Sequence, residues 1–176
     1  MDALVHYSIP IKGLRHGVHQ FDYQIDRLFF QQFESSPIEE GKIELRLNFD
    51  KRPDMYVLLF EFRGTVRTEC DRCLEEIDLP LAGSHQLLVK FSEQEEIEEA
   101  EVVYINADAP RLNVAKYIYE FIVLALPMIK VYDCRSEEQP VCNEEMLRYL
   151  NGNKEQEGST GNNPVWDELK NLGKKN

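Results

Sequence analysis

The chain has 176 residues, of which 32 are acidic and 20 basic, so its formal net charge at neutral pH is −12. This excess of acids excludes the simplest class of nucleic-acid-binding protein, which neutralises phosphates with an overall basic surface, and it disfavours adhesion to an anionic membrane. Hydrophobic residues make up 43% of the chain, enough for one folded domain with a proper core.

The sequence also argues against export and membrane insertion. No stretch reaches the roughly 20 consecutive apolar residues that a spanning helix needs. The first ten residues lack the basic region and apolar run of a secretory signal. We therefore expect a cytoplasmic protein that does not contact a membrane.

The first predicted elements are a strand and a short helix. Residues 19–25 alternate between polar and apolar side chains, which is typical of a half-buried strand. Asp26 can cap a helix over residues 27–33, whose apolar side chains fall at helical spacing. Residues 35–41 contain a proline and a glycine and are predicted to form a loop.

The next part of the chain predicts an antiparallel sheet. Short segments with a period of two follow one another, and Gly64 and Gly83 are expected to bend or interrupt the chain between neighbouring strands. The predicted strands are residues 43–49, 56–62, 65–69, 77–81 and 85–91. This pattern predicts an α+β fold, in which an antiparallel sheet could curl toward a barrel and carries a few packed helices.

A strongly acidic segment separates this sheet from the helices that follow. Residues 93–101 contain six glutamates, a density of like charge that resists packing, and residues 102–105 are predicted to form a short edge strand after them. Asn113 is a plausible cap for an apolar-striped helix that ends at Leu126, before Pro127. A second helix is predicted after Asn143.

The predicted strands and helices indicate one main domain followed by a tail. Residues 1–150 are predicted to form one α+β domain that holds both cysteine pairs. Residues 151–163 are polar and rich in glycine and asparagine, which indicates a flexible, mobile linker. Residues 164–176 carry the single tryptophan, Trp166, and are predicted to be a short docking segment and tail.

Four cysteines need an explanation in a compartment where disulfides are uncommon. Cys70 and Cys73 form a C-x-x-C pair between predicted strands, whereas seven residues separate Cys134 from Cys142. Four thiolates can complete the tetrahedral shell of one structural zinc ion. Two alternatives stay open: four reduced cysteines packed as small apolar side chains, or a redox dithiol at the C-x-x-C, although such dithiols usually precede a helix.

The basic residues allow a local contact with RNA. Arg63 and Arg67 fall on the same face of a predicted strand, and Arg72 lies inside the cysteine loop. Residues 42–72 contain seven basic and six acidic residues, which is equally typical of a solvated sheet face. We therefore keep RNA binding by these arginines as an alternative function.

The sequence contains no recognisable enzyme signature. The usual nucleotide-binding and zinc-protease motifs are absent, and an acidic run of this kind cannot hold a general acid and base in fixed geometry. We expect neither catalysis nor a small-molecule substrate.

Four short motifs resemble the YceD family. Cys70-Asp71-Arg72-Cys73-Leu74-Glu75 resembles its C-x-R-C-L signature, and residues 120–127 resemble its helix ending in "LALP". Asp133 and Cys142 lie where the family has a His-Asp pair and a later cysteine, with Tyr132 in place of the histidine. Residues 163–170 resemble its C-terminal segment. If the family site binds metal, Cys134 could replace the missing histidine ligand.

The resemblance implies a role in the synthesis, processing or stability of large-subunit (23S) ribosomal RNA, and hence in ribosome assembly. It implies no catalytic residues. Residues 75–108 hold ten acids and one base, a net −9 of the total −12, which makes a basic ribosomal protein or a large-subunit precursor the expected partner. A thiol redox protein that uses Cys70 and Cys73 is a further alternative.

Overall fold

The computed structural model describes residues 3–92, 98–99, 102–132 and 141–157. Its main feature is one six-stranded sheet of order β2-β3-β4-β5-β7-β6. The strands are β2 (Gly17–Ile25), β3 (Glu40–Lys51), β4 (Met55–Glu69), β5 (Glu76–Phe91), β6 (Glu98–Glu99) and β7 (Val102–Ile105). A second, two-stranded sheet pairs β1 (Ser8–Ile9) with β8 (Leu112–Asn113).

The sheet is antiparallel except at one pair. β5 and β7 run parallel, with Leu88 opposite Val102, because the chain crosses back before it enters β7. The prediction of an α+β fold with a mainly antiparallel sheet is confirmed. The sheet is open and does not close into a barrel, and β7 lies between β5 and β6 rather than at the predicted edge.

Two predicted chain breaks are wrong. β4 runs through Gly64 and β5 runs through Gly83, so four predicted strands are in fact two long ones. Neither glycine ends a strand; each leaves room for a neighbouring group that packs closely against it. A Cβ on Gly64 would lie 2.1 Å from the carbonyl oxygen of Lys42, and one on Gly83 would lie 2.5 Å from the ring of Phe62.

The first two helices are shorter than predicted, and the last one extends into the predicted linker. They are α1 (Arg27–Phe30), α2 (Ala115–Leu124) and α3 (Glu144–Glu157), with two 3-10 helices at Ala3–Tyr7 and Ile11–Gly13. Asp26 caps α1 as predicted, accepting from the backbone N–H of Leu28 at 2.9 Å. The Asn113 side chain accepts from the N–H of Ala115 at 2.9 Å.

The structure describes only part of the C-terminal region that was assigned to a linker and a docking segment, and the domain organisation stays a prediction. α3 extends to Glu157 and therefore occupies seven of the thirteen residues assigned to the linker. Residues 158–163 and the predicted docking segment, 164–176, lie outside the described residues. Among the helices described, none combines the length and the apolar character needed to cross a membrane.

One face of the large sheet forms the core. Alternate residues of β3, β4 and β5 point to this face, where Phe49, Leu58 and Phe60 are fully buried. Aromatic contacts join it to α2, including Phe60 with Phe121 at 5.2 Å between ring centroids. The polar residues that alternate with them on the same strands point to the opposite face, so the sheet has one packed and one solvated side.

Candidate functional site

The C-x-x-C pair forms the tight connection between β4 and β5. Cys70 directly follows β4, and its N–H donates to the carbonyl oxygen of Glu75 at 2.9 Å, while the N–H of Leu74 donates to the Cys70 carbonyl at 2.9 Å. Both cysteines are fully buried free thiols. We call residues 70–75 the cysteine hairpin; its flanks are strands, as predicted.

Several backbone N–H groups donate hydrogen bonds to the sulfur atom of Cys70. Burial raises the pKa of the Cys70 thiol, but hydrogen bonds from the backbone N–H groups of Tyr132, Arg72 and Cys73, together with the Cys73 thiol, outweigh it and lower the pKa overall. Several donors on one buried sulfur favour the thiolate form. A thiolate is the form that binds a soft metal or attacks a disulfide.

A distant segment is bonded to this hairpin. The N–H of Asp71 donates to the carbonyl oxygen of Lys130 at 2.8 Å, and the N–H of Lys130 donates back to the Asp71 carboxylate at 2.7 Å. The Lys130 ammonium lies 3.5 Å from the same carboxylate. Arg72 donates to the carbonyl oxygen of Tyr132 at 3.2 Å. These contacts fix the segment after α2 against the cysteine hairpin.

The second cysteine pair is described only in part. Cys142 is buried and disulfide-bonded, and Cys134 lies outside the described residues. In the ranges that the structure describes, no three or more metal-ligating side chains come together. The four-cysteine zinc site therefore stays a prediction. The structure adds one observation: the backbone N–H of Tyr132, two residues before Cys134, donates a hydrogen bond to the sulfur of Cys70.

The three arginines proposed for RNA binding occupy two places. Arg63 and Arg67 project from the solvated face of β4, as predicted, and each is paired with carboxylates: Arg63 with Glu44 at 3.3 Å and Arg67 with Asp78 at 3.3 Å. Arg72 is half-buried in the cysteine hairpin, where it donates to a backbone carbonyl. RNA binding by this set stays a prediction.

The solvated face of the sheet is a shallow depression rather than a flat surface. A cavity of about 620 Å³ lies over Gly64, open to solvent, with Lys42, Glu44 and Arg63 among its lining residues. Its charges are mixed and largely paired across strands. Such a lining shows no preference for one sign of ligand charge.

Acidic residues also lie at the cysteine hairpin and at the strand ends beside it. Glu69 and Glu76 stand directly opposite each other at the ends of β4 and β5, and Glu75 lies next to them. Of the glutamate run at residues 93–101, only the backbone of Glu98–Glu99 is described, as β6. Of the ten acids in residues 75–108, the structure describes the side chains of Glu75 and Glu76 at the cysteine hairpin, of Asp78 on β5 and of Asp108 after β7.

Sequence reasoning missed two features of this region. The bonds between Asp71 and Lys130 join residues 59 positions apart, a separation that no local pattern bridges. Leu74 adopts a positive φ of 60°, which no local pattern indicates because glycine or asparagine is the usual residue in that conformation.

These features define an α+β protein with one large open sheet, at one end of which the cysteine hairpin carries two buried thiols. Residues 58–173, about two thirds of the chain, match the family described as Large ribosomal RNA subunit accumulation protein YceD, and the chain belongs to this family. The family resemblance expected from the short motifs is confirmed. Comparison with curated proteins and with solved structures finds no match.

Proposed function

We propose that the protein is a non-enzymatic assembly factor, which supports the synthesis, processing or stability of large-subunit (23S) ribosomal RNA by binding a ribosomal protein or a precursor particle. The match to the YceD family over residues 58–173 carries this proposal. Membership connects the chain with accumulation of large-subunit ribosomal RNA; the non-enzymatic mode of action and the partner are our inference.

The charge distribution supports a basic partner. Glu69 and Glu76 oppose each other across two strands, an arrangement that destabilises the isolated sheet. A cationic partner would relieve this repulsion and would be attracted over a distance by the net charge of −12. Ribosomal proteins that bind RNA are basic, so an acidic factor can shield one before it reaches the particle or dock on one already placed there.

Deletion of the gene in the source organism tests the role. We expect fewer large subunits and more incompletely processed 23S RNA on gradient sedimentation and RNA blotting, with small subunits less affected. Expression of the full chain from a plasmid should restore the profile. Unchanged large-subunit particles and unchanged 23S RNA in the deletion strain would contradict the proposal.

The mode of binding has its own test. Purified chain, immobilised at low salt, should retain basic proteins extracted from large subunits, and a few hundred millimolar salt should release them because exposed charge attraction is screened. Retention that is independent of both salt and protein charge would argue against electrostatic capture.

Direct RNA binding is the alternative that the arginines on β4 support. Both are exposed, so Arg63→Gln with Arg67→Gln should leave the core intact and should abolish a gel shift with 23S RNA fragments if they contact RNA. Arg148→Gln, on an exposed ion pair of α3, is the matched control. An unchanged shift in the double variant removes this alternative.

The second part of the proposal concerns a cofactor: Cys70, Cys73, Cys134 and Cys142 hold one structural zinc when all four are reduced. The N–H donors directed at the sulfur of Cys70 support this, since they favour the thiolate that zinc requires. Protein purified with a reductant should contain one zinc per chain, and Cys70→Ser should lose it. Zinc-free protein, or a persistent disulfide beside two free thiols, would contradict the site.

The redox alternative has weaker support. Cys70 and Cys73 are both 0% exposed, whereas a dithiol that exchanges with a partner must be reached by it. Titration of the native protein with a bulky thiol reagent separates the two cases. Rapid reaction at Cys70 and Cys73 would favour redox chemistry, and slow reaction that accelerates only on unfolding would remove it.

A further inference from the structure

The strand β2 forms one edge of the large sheet, and its outer side is open. β2 pairs with β3 along its whole length, and within the described part of the chain no backbone hydrogen bond leads from β2 to any other element. In an antiparallel strand every second residue directs its N–H and C=O groups away from its neighbour. The outer side of β2 is therefore a row of unpaired groups about 30 Å long, onto which a further strand can add.

The protections that usually prevent an edge strand from pairing are missing on β2. Proline, exposed charge, bulges and short length serve this purpose in most proteins. In the described residues β5 also has an open outer edge ahead of its pairing with β7, but that edge carries Pro80 and the exposed carboxylate of Asp78. β2 has nine residues in unbroken register and no proline. Apart from His19 its only acidic or basic side chain with a strong charge is Asp22, which pairs with Arg46 at 3.2 Å.

The sequence of β2 is complementary to a second copy of itself. Two copies related by a two-fold axis perpendicular to the sheet pair antiparallel, and residues of the same face then oppose each other. With the axis at Phe21, the centre of the strand, every residue from Gly17 to Ile25 has an opposite residue in the other copy. This register places the Gln20 amide opposite the Asp22 carboxylate on both sides of the axis. The same two side chains already bond within one strand at 2.9 Å, so they lie on one face and match as donor and acceptor.

The charge of Asp22 selects this register over its neighbours. An axis at Asp22 would place two carboxylates directly opposite each other, which destabilises a strand pair. An axis at Gln20 would place Asp22 opposite the apolar side chain of Val18 and would leave Ile25 without an opposite residue inside β2. The register centred on Phe21 also covers apolar surface, because Val18 is 69% exposed and Phe21 is half-buried.

The distribution of charge permits two copies to join at this edge. Residues 75–108 carry −9 of the net −12, and they begin on β5, which is separated from β2 by β3 and β4. Two β5 strands in a pair joined at β2 would be seven strand spacings apart, about 34 Å along the sheet. This distance is about four times the Debye length of roughly 8 Å at physiological salt, so the repulsion is largely screened.

We propose that the protein forms a dimer through antiparallel pairing of β2 with β2 of a second copy, about a two-fold axis at Phe21. The pairing joins two six-stranded sheets into one of twelve strands. The inference goes beyond the proposed function and does not depend on it, since β2 precedes the residues, 58–173, that match the family. One strand pair is a small interface, so the dissociation constant is expected in the micromolar range.

Sedimentation equilibrium of the full chain tests the dimer. Between about 1 and 200 µM the apparent mass should rise from that of one chain toward that of two. Raising the salt concentration from about 0.02 to 0.15 M should tighten the dimer, because it screens the repulsion between two acidic chains. Capture of a basic protein has the opposite dependence on salt, so the two kinds of association are distinguishable.

An exchange of two residues tests the register. Gln20→Asp places a carboxylate opposite Asp22 of the other copy at two positions of the dimer and should weaken it about tenfold. Gln20→Asp together with Asp22→Gln restores the complementary pairs at unchanged composition and should restore dimerisation. Gln86→Asp makes the same substitution at an exposed position of β5 and should have no effect on dimerisation. Equal urea midpoints for Gln20→Asp and Gln86→Asp would show that folding is not the cause.

Hydrogen exchange locates the contact on β2. Amides that face β3 should be protected at every protein concentration, and the alternate amides should gain protection only where the dimer forms. A chain that is monomeric throughout, or a dimer that Gln20→Asp does not weaken, would overturn the inference. Protection of the alternate amides only after addition of large-subunit proteins would assign the edge to a strand of a partner protein and would overturn it as well.

Discussion

Gly64→Ala is the sharpest test of the sheet that carries the site. Gly64 lies inside β4, opposite Ile43 of β3. A Cβ there would lie 2.1 Å from the Lys42 carbonyl oxygen and 2.6 Å from the Ile43 Cα. Both are backbone atoms, so no side-chain rotation can relieve the clash. Since ordinary contact begins at 3.4 Å, β3 and β4 would have to separate locally by more than 1 Å.

The cost follows from that separation. Forcing extra volume into packed structure costs about 1–3 kcal/mol. Two neighbouring cross-strand hydrogen bonds that stretch out of range add roughly 1 kcal/mol each. We therefore expect Gly64→Ala to lower the free energy of unfolding by about 3–5 kcal/mol, a large part of the roughly 5–15 kcal/mol of a typical domain.

Urea unfolding followed by far-UV circular dichroism measures this change. Gly13→Ala is the matched control because a Cβ there meets no atom within 4 Å. It should leave stability unchanged or raise it by up to about 1 kcal/mol, through the reduced freedom of the unfolded chain. Similar midpoints for the two variants, with equal slopes, would refute the close approach of β3 and β4.

Three further changes probe other contacts. Burial, and next the neighbouring Tyr7, raise the pKa of Tyr23 to about 12, so its contribution to the free energy of unfolding should be complete below pH 10 and fall as the pH rises from 10 to 12. In an alkaline unfolding series, Tyr23→Phe should reduce this loss, and an equal loss in wild type and variant would contradict it. Asp71→Ala should speed hydrogen exchange at the Lys130 amide, which donates to Asp71 at 2.7 Å, and unchanged exchange would show that the bond is not formed in solution. Gly83→Ala should cost only about 1–2 kcal/mol by urea unfolding, since the ring of Phe62 can tilt away, and a cost equal to that of Gly64→Ala would contradict this reasoning.

Local patterns predict the strands well but not their continuity. Alternation in residues 43–49 predicts β3, and residues 102–105 coincide with β7. Gly64 and Gly83 mislead because a glycine that ends a strand and a glycine that admits a neighbouring strand look the same in one sequence. The parallel pairing of β5 with β7 depends on a crossover that periodicity does not encode.

For the site as well, features set by neighbouring residues can be predicted from the sequence, and contacts between distant residues cannot. The sequence predicts that the C-x-x-C pair, Cys70 and Cys73, lies between two strands, and the structure has it there; the burial of both thiols is added by the structure. The bonds of Asp71 to Lys130 and of Tyr132 to the Cys70 sulfur join distant parts of the chain, so no motif signals them. The exposure of Met128 and Ile129 likewise depends on tertiary packing, which a local sequence pattern does not encode.

The conformation of the cysteine hairpin carries a local cost in stability that its contacts must offset. A leucine at a φ of 60° costs about 1 kcal/mol or more relative to glycine. Two buried cysteines and the bonds between Asp71 and Lys130 hold the cysteine hairpin in this conformation. Under the proposed function, the net charge of −12 would attract a basic protein, and screening by salt would weaken that attraction, so that the basic protein could be given up to ribosomal RNA.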